Sequence, residues 1–76
     1  MTNVASAPAA APARDLILDA AELLFATRGF AATTIKHIAA AANVNSALLY
    51  YYFENKETLY HATIDRMLSA IAGGGL

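Results

Sequence analysis

The chain has no cysteine, so neither a disulfide nor a zinc–thiolate site can brace it. Its fold must come from helix packed on helix, or from a partner. Tryptophan is also absent, prolines number two and glycines four, and charged residues make up only 14% of the chain. A formal net charge of -1 removes any global pull toward a polyanion or an anionic lipid surface, so such a role must come from local charge placement. There is no long apolar run either. The most apolar stretch, 16–26, is interrupted by Asp19 and Glu22 and falls far short of the ~20 residues a membrane span requires. Residues 1–13 carry Pro8 and Pro12 among alanines and no Lys or Arg, which excludes a basic secretory n-region and an Arg-rich transit peptide. They read as a flexible leader. A cytoplasmic location without membrane association is the expectation.

What is present is alanine-rich and helical in pattern. The 76 residues are 58% hydrophobic, much of it alanine, and a chain of this length buries about 60% of the surface its unfolded form exposes. One small all-α domain is expected. Across 14–28, Ile17, Ala20, Ala21, Leu24 and Phe25 follow helical spacing, with Asp15, Asp19 and Glu22 on the opposite face. Gly29 supplies a left-handed exit, and Phe30 is placed to fold back on the last turn. Either Thr33 or Thr34 suits the cap of a two-turn second helix whose inner face is Ile35, Ile38, Ala39 and Ala42. Asn43 tolerates positive φ and makes a tight turn, Val44 points inward, and Asn45 caps a third helix over 46–53. Asn55 caps a fourth from Lys56 to about Ala72, with Tyr60, Ile64, Met67, Leu68 and Ile71 as its apolar stripe. Leu59 and Ala62 widen that stripe enough to imply packing on a second side. The glycines at 73–75 end the helix, and the chain looks cut short.

Two short helices joined by a turn of three to four residues form the helix-turn-helix pattern. In the third helix, Ser46, Leu49, Tyr50 and Phe53 fall on one face and Ala47, Leu48, Tyr51 and Tyr52 on the other. The three tyrosines span about 200° of the helix, so they cannot all be buried. Tyr50 leans to the core with its hydroxyl at the edge, whereas Leu48, Tyr51 and Tyr52 need a partner to cover them. A DNA groove is such a partner, because a tyrosine ring packs on sugar and thymine methyl while its hydroxyl donates to a phosphate. Charge agrees: Lys36 and Lys56 outweigh Glu54 within 33–56, while the flanking segments are each net negative.

Other candidates for chemistry are weaker. His61 and Asp65 share a face at i, i+4, but two ligands make a poor metal site, and a surface pair is the reading. His37 is expected to be a solvated or phosphate-facing imidazole. Asp15, Asp19 and Glu22 form a solvated face with no nucleophile nearby, which excludes acid–base catalysis there. No cofactor, metal or enzymatic activity is expected.

In order and without gaps, Ile17-Leu18-Asp19-Ala20-Ala21, Leu24-Phe25, Gly29-Phe30, Thr33-Thr34-Ile35, Ile38-Ala39, Ala42-Asn43-Val44-Asn45, Leu49-Tyr50-Tyr51-Tyr52-Phe53, Lys56-Glu57 and Leu59 resemble the N-terminal domain of TetR-family transcriptional regulators. The resemblance covers nearly everything from Arg14 to Leu68. It implies a three-helix, homeodomain-like helix-turn-helix bundle plus the start of a fourth helix. It also implies a homodimeric repressor on an inverted-repeat operator in double-stranded DNA, released by a small-molecule effector bound in a C-terminal domain that is missing here. Carried over by position, Thr34 and Lys36 lie against the phosphate backbone, and Asn45, Ser46, Ala47 and Leu48 lie nearest base edges. Tyr50, Tyr51, Tyr52 and Lys56 are similar to phosphate and sugar contacts. Asn43 replaces the usual turn glycine, and Leu48 replaces a commoner small or hydroxyl residue. The expected organisation is a leader over 1–13, the DNA-binding unit over 14–55 and a linking helix over 56–76. The alternative is a helical protein–protein interaction module that docks through the apolar face of helix 56–72.

Overall fold

A computed structural model describes residues 12–74, which form four helices and, among the described residues, no strand. The helices are α1 (Ala13–Arg28), α2 (Ile35–Ala42), α3 (Ser46–Tyr52) and α4 (Lys56–Gly74). The proposed leader lies almost wholly outside the described residues.

Helix α1 begins one residue earlier than its periodicity suggests, because the Pro12 carbonyl accepts from the N–H groups of Asp15 and Leu16 at 2.9 and 3.2 Å. Asp15 in its first turn and Arg28 in its last complement the helix dipole. It buries Ile17, Leu18, Ala20, Ala21 and Phe25, while Leu24 is half-buried. Leu18 falls outside the expected stripe. The buried face is wider because α1 is packed by α2, α3 and α4 together.

Gly29 has positive φ (85°) as expected, but its ψ of 160° is extended rather than left-handed helical. The chain therefore leaves α1 at once, in a region of backbone space that essentially only glycine occupies. No atom lies near the position of an added Cβ, so Gly29→Ala tests backbone strain alone. A loss of about 1–3 kcal/mol in urea unfolding is expected. A stability within 0.5 kcal/mol of the parent, roughly the scatter of surface substitutions, would show that the loop relaxes instead.

The sharp exit brings Phe30 back onto Phe25, with ring centroids 5.6 Å apart, and Tyr60 completes the cluster at 5.1 Å from Phe25 and 5.0 Å from Phe30. The two threonines divide their roles. Thr34 caps α2, its hydroxyl oxygen accepting from the His37 N–H at 3.1 Å. Thr33 is fully buried, and its hydroxyl donates toward the Gly29 carbonyl at 2.7 Å and the Leu24 carbonyl at 3.1 Å, so it closes the end of α1.

At the turn, Asn43 adopts the left-handed conformation (φ 60°, ψ 42°), with its N–H donating to Ala40 O and that of Val44 to Ala39 O. This is a Schellman ending, and Val44 packs against the core beyond it. Asn45 and Asn55 then cap α3 and α4, their Oδ1 atoms accepting from the Leu48 and Thr58 N–H groups, each at 2.8 Å.

Helix α4 departs from expectation twice. It continues through Gly73 and Gly74 instead of ending at Ala72. Its buried line is Leu59 and Thr63, with Tyr60, Ala62 and Ile64 half-buried, whereas Met67, Leu68 and Ile71 are exposed. The reason is reach: the bundle beneath it is short, so only the first two turns of α4 are covered. The Thr63 hydroxyl is satisfied within the helix by donating to Tyr60 O at 2.7 Å. Arg66 bridges Asp19 at 2.9 Å and Glu22 at 3.6 Å, so two residues of the acidic face, while still open to solvent, also pair across to α4.

Candidate nucleic-acid interface

Helix α3 is seven residues long and attaches through one fully buried side chain, Leu49, with Phe53 buried just beyond its end. Its other residues are left to flank or face outward. Tyr51 is 79% exposed, Tyr50 51% and Tyr52 38%. The expectation that Tyr50 leans into the core is therefore corrected. It sits about 100° round the helix from Leu49, and a core that admits one residue of α3 is too narrow to take it. Tyr51 and Tyr52 meet edge to face with centroids 5.1 Å apart, which holds two aromatic rings together on the surface. Asn45 and Ala47 are exposed, and Ser46 and Leu48 half-buried, so the first turn of α3 is open to a partner.

The other expected contacts gather at the same end of the molecule. Lys56 Nζ donates to Phe30 O at 2.8 Å and Thr33 O at 3.1 Å, and lies 4.2 Å from the Phe30 ring centroid. It thus ties the start of α4, directly after α3, to the loop that leads into Thr34. Two of its three N–H donors are committed to protein carbonyls. Lysine at this position was legible as a cation at a helix start; its carbonyl partners were not. Lys56→Met keeps the apolar stem but removes both charge-assisted hydrogen bonds, and a loss of about 1.5–3 kcal/mol is expected by urea unfolding. If stability does not move, the ammonium is solvated and the tie is not formed.

Thr34 and Lys36 are both exposed on the first turn of α2, and Lys36 makes no ion pair among the described residues. His37 beside them is not simply solvated: its Nδ1 lies 2.7 Å from Arg28 Nη1. Sequence reasoning passed over Arg28, which nine residues separate from this partner. Arg14 covers the Phe53 ring at 5.3 Å, a packing contact at the other end of α1. Among the described residues no group of three His, Cys, Asp or Glu is placed to hold a metal ion, and no helix is long and apolar enough to cross a membrane.

A short capped helix, joined to its neighbour by a left-handed asparagine turn and presenting an outward aromatic face, defines a helix-turn-helix DNA-binding domain. Residues 17–63 match the model of the family described as bacterial regulatory proteins, tetR family, and the chain belongs to that family. Among its relatives is the biofilm operon icaADBC HTH-type negative transcriptional regulator IcaR of Staphylococcus epidermidis. It is 36% identical over 52 residues, covering 68% of this chain and 28% of that protein. IcaR of Staphylococcus aureus strain Newman is 37% identical over 51 residues, covering 67% and 27%. A crystal structure of a HlyIIR mutant with residues 170–185 substituted by alanine superposes with a TM-score of 0.70 at 41% identity, covering 71% of this chain and 30% of that one. The chain therefore corresponds to under a third of the length of these relatives and carries the family's DNA-binding domain. It is a domain of transcription regulators, not of enzymes.

Proposed function

We propose that α3 lies in the major groove of double-stranded DNA, with Asn45, Ser46, Ala47 and Leu48 nearest base edges and Tyr50, Tyr51 and Tyr52 on sugar and phosphate. Thr34 and Lys36 rest on the phosphate backbone, and Lys56 holds the loop that presents them. The observation that carries this reading is the exposed, edge-to-face Tyr51–Tyr52 pair on the helix that follows the turn. A large aromatic surface left in water is unfavourable unless a partner covers it. In the whole protein, two such heads act as a homodimeric repressor on an inverted repeat, and a small-molecule effector binds outside residues 1–76. The repressor part of that reading is supported by IcaR, a negative transcriptional regulator, among the relatives.

Selection from a randomised duplex pool tests it, with the chain fused to a dimerising coiled coil so that two half-sites gain effective concentration. An enriched inverted repeat is the expected result. A pool that stays random while the protein is folded and dimeric contradicts it. The salt dependence should also be shallow for a DNA binder, because the chain has only five Lys and Arg residues, and Lys56 and Arg66 already have protein partners.

A second reading has its own observation. Met67, Leu68 and Ile71 leave the far half of α4 apolar and open, which favours docking of further protein there. The two readings use different faces, and both can hold in one molecule.

A further inference from the structure

We infer that Arg28, held by His37, is an additional DNA-backbone contact, a role that rests on α3 docking in a groove. Its place in the molecule is the first argument. Helices α1 and α4 run antiparallel: Asp19 pairs with Arg66, Phe25 packs on Tyr60, and Lys56 donates to the Phe30 carbonyl just past the end of α1. The last turn of α1 therefore shares one end of the molecule with the first turn of α4 and with Thr34 at the start of α2. Arg28 stands at that end.

Its chemistry is the second argument. A guanidinium has donors only, so at 2.7 Å the His37 Nδ1 must be the acceptor and the ring proton sits on Nε2. The pair then offers the remaining guanidinium N–H groups and the Nε2–H, carries a positive charge, and has no acceptor left to offer. Both residues are exposed, and Lys36 is exposed beside His37. Among the described residues no carboxylate pairs with Arg28, since the ion pairs there are those of Arg66 with Asp19 and Glu22. Nor does its side chain donate to the terminal carbonyls of α1; it reaches across to α2. An exposed cationic set of donors is suited to a phosphodiester, and the bond to His37 fixes the planar fork before the phosphate arrives. Arg28 is the contact, and His37 is a positioning residue.

The test is binding of the 76-residue chain to a short mixed-sequence fluorescent duplex across a NaCl series, with far-UV circular dichroism confirming that each variant is folded. Arg28→Ala is expected to weaken binding roughly three- to tenfold and to lower the salt slope by about 0.9 for each head bound. Arg28→Lys retains the slope because it retains the charge. His37→Ala weakens binding less and leaves the slope unchanged, while circular dichroism shows a folded fraction equal to that of the parent. Tyr51→Ala in the same series separates the two proposals. If Tyr51→Ala weakens binding while Arg28→Ala changes neither affinity nor slope, the Arg28 contact is wrong and the groove reading stands. If the unaltered chain, fused to the dimerising coiled coil and at low salt, still does not bind the duplex, both are wrong.

Discussion

Leu49→Ala is expected to remove a large fraction of the chain's stability. Leu49 is fully buried and is the one buried residue that α3 contributes, so the cavity it leaves cannot be filled by a neighbour on the same helix. Truncations of this kind cost about 2–5 kcal/mol. A chain of 76 residues has a total stability of only about 4–11 kcal/mol at the usual value per residue. The loss is thus a large fraction of the whole, and α3 should detach from α1 and α2 before the rest melts. Urea unfolding followed by circular dichroism reads this directly. An unchanged midpoint would mean that Phe53 and Val44 hold α3 in place without Leu49.

Tyr51→Ala should do the reverse. Tyr51 lies two residues on, about 200° round the helix, and is the most exposed of the three tyrosines. Its truncation should leave stability within about 0.5 kcal/mol of the parent. Binding to a selected duplex should weaken by about 1–3 kcal/mol, the range for a good groove contact. Fluorescence anisotropy at fixed moderate salt, paired with thermal unfolding, separates the two effects. A variant that loses stability but keeps its DNA affinity would place Tyr51 in the fold and not in the interface. Together the two substitutions test whether residues on opposite faces of one short helix divide between core and partner.

The four helices and the asparagine caps and turn between them were legible because their causes are local. Asn43, Asn45 and Asn55 act through their own backbone neighbourhoods, and each does what its side chain predicts. The choice between Thr33 and Thr34 was not local. Thr33 is drawn inward by carbonyls at the end of α1, which only the folded chain brings near it. Burial was harder to read than helicity, because periodicity fixes a face but not how much of it neighbours cover. Leu18 is buried by the added contact of α4 on α1, Tyr50 is exposed because the core under α3 is narrow, and the far stripe of α4 outruns the bundle.

The candidate interface divides along the same line. The outward face of α3 follows from helical geometry and the tyrosine run. Lys56 on the Phe30 and Thr33 carbonyls, Arg28 on His37, and Arg66 on Asp19 and Glu22 are all partnerships across the tertiary fold. A sequence offers charges at those positions, but not which are engaged. The distinction bears on function, because a lysine already bound to two carbonyls acts on DNA chiefly by holding the loop before Thr34.

The most direct test of DNA docking through α3 is nuclear magnetic resonance of the labelled chain titrated with a duplex at low salt. Amide shifts should concentrate in 34–37 and 45–52 and near Lys56, with 64–71 of α4 unmoved. Shifts confined to 64–71, or none on the tyrosine face at saturating duplex, would contradict that account.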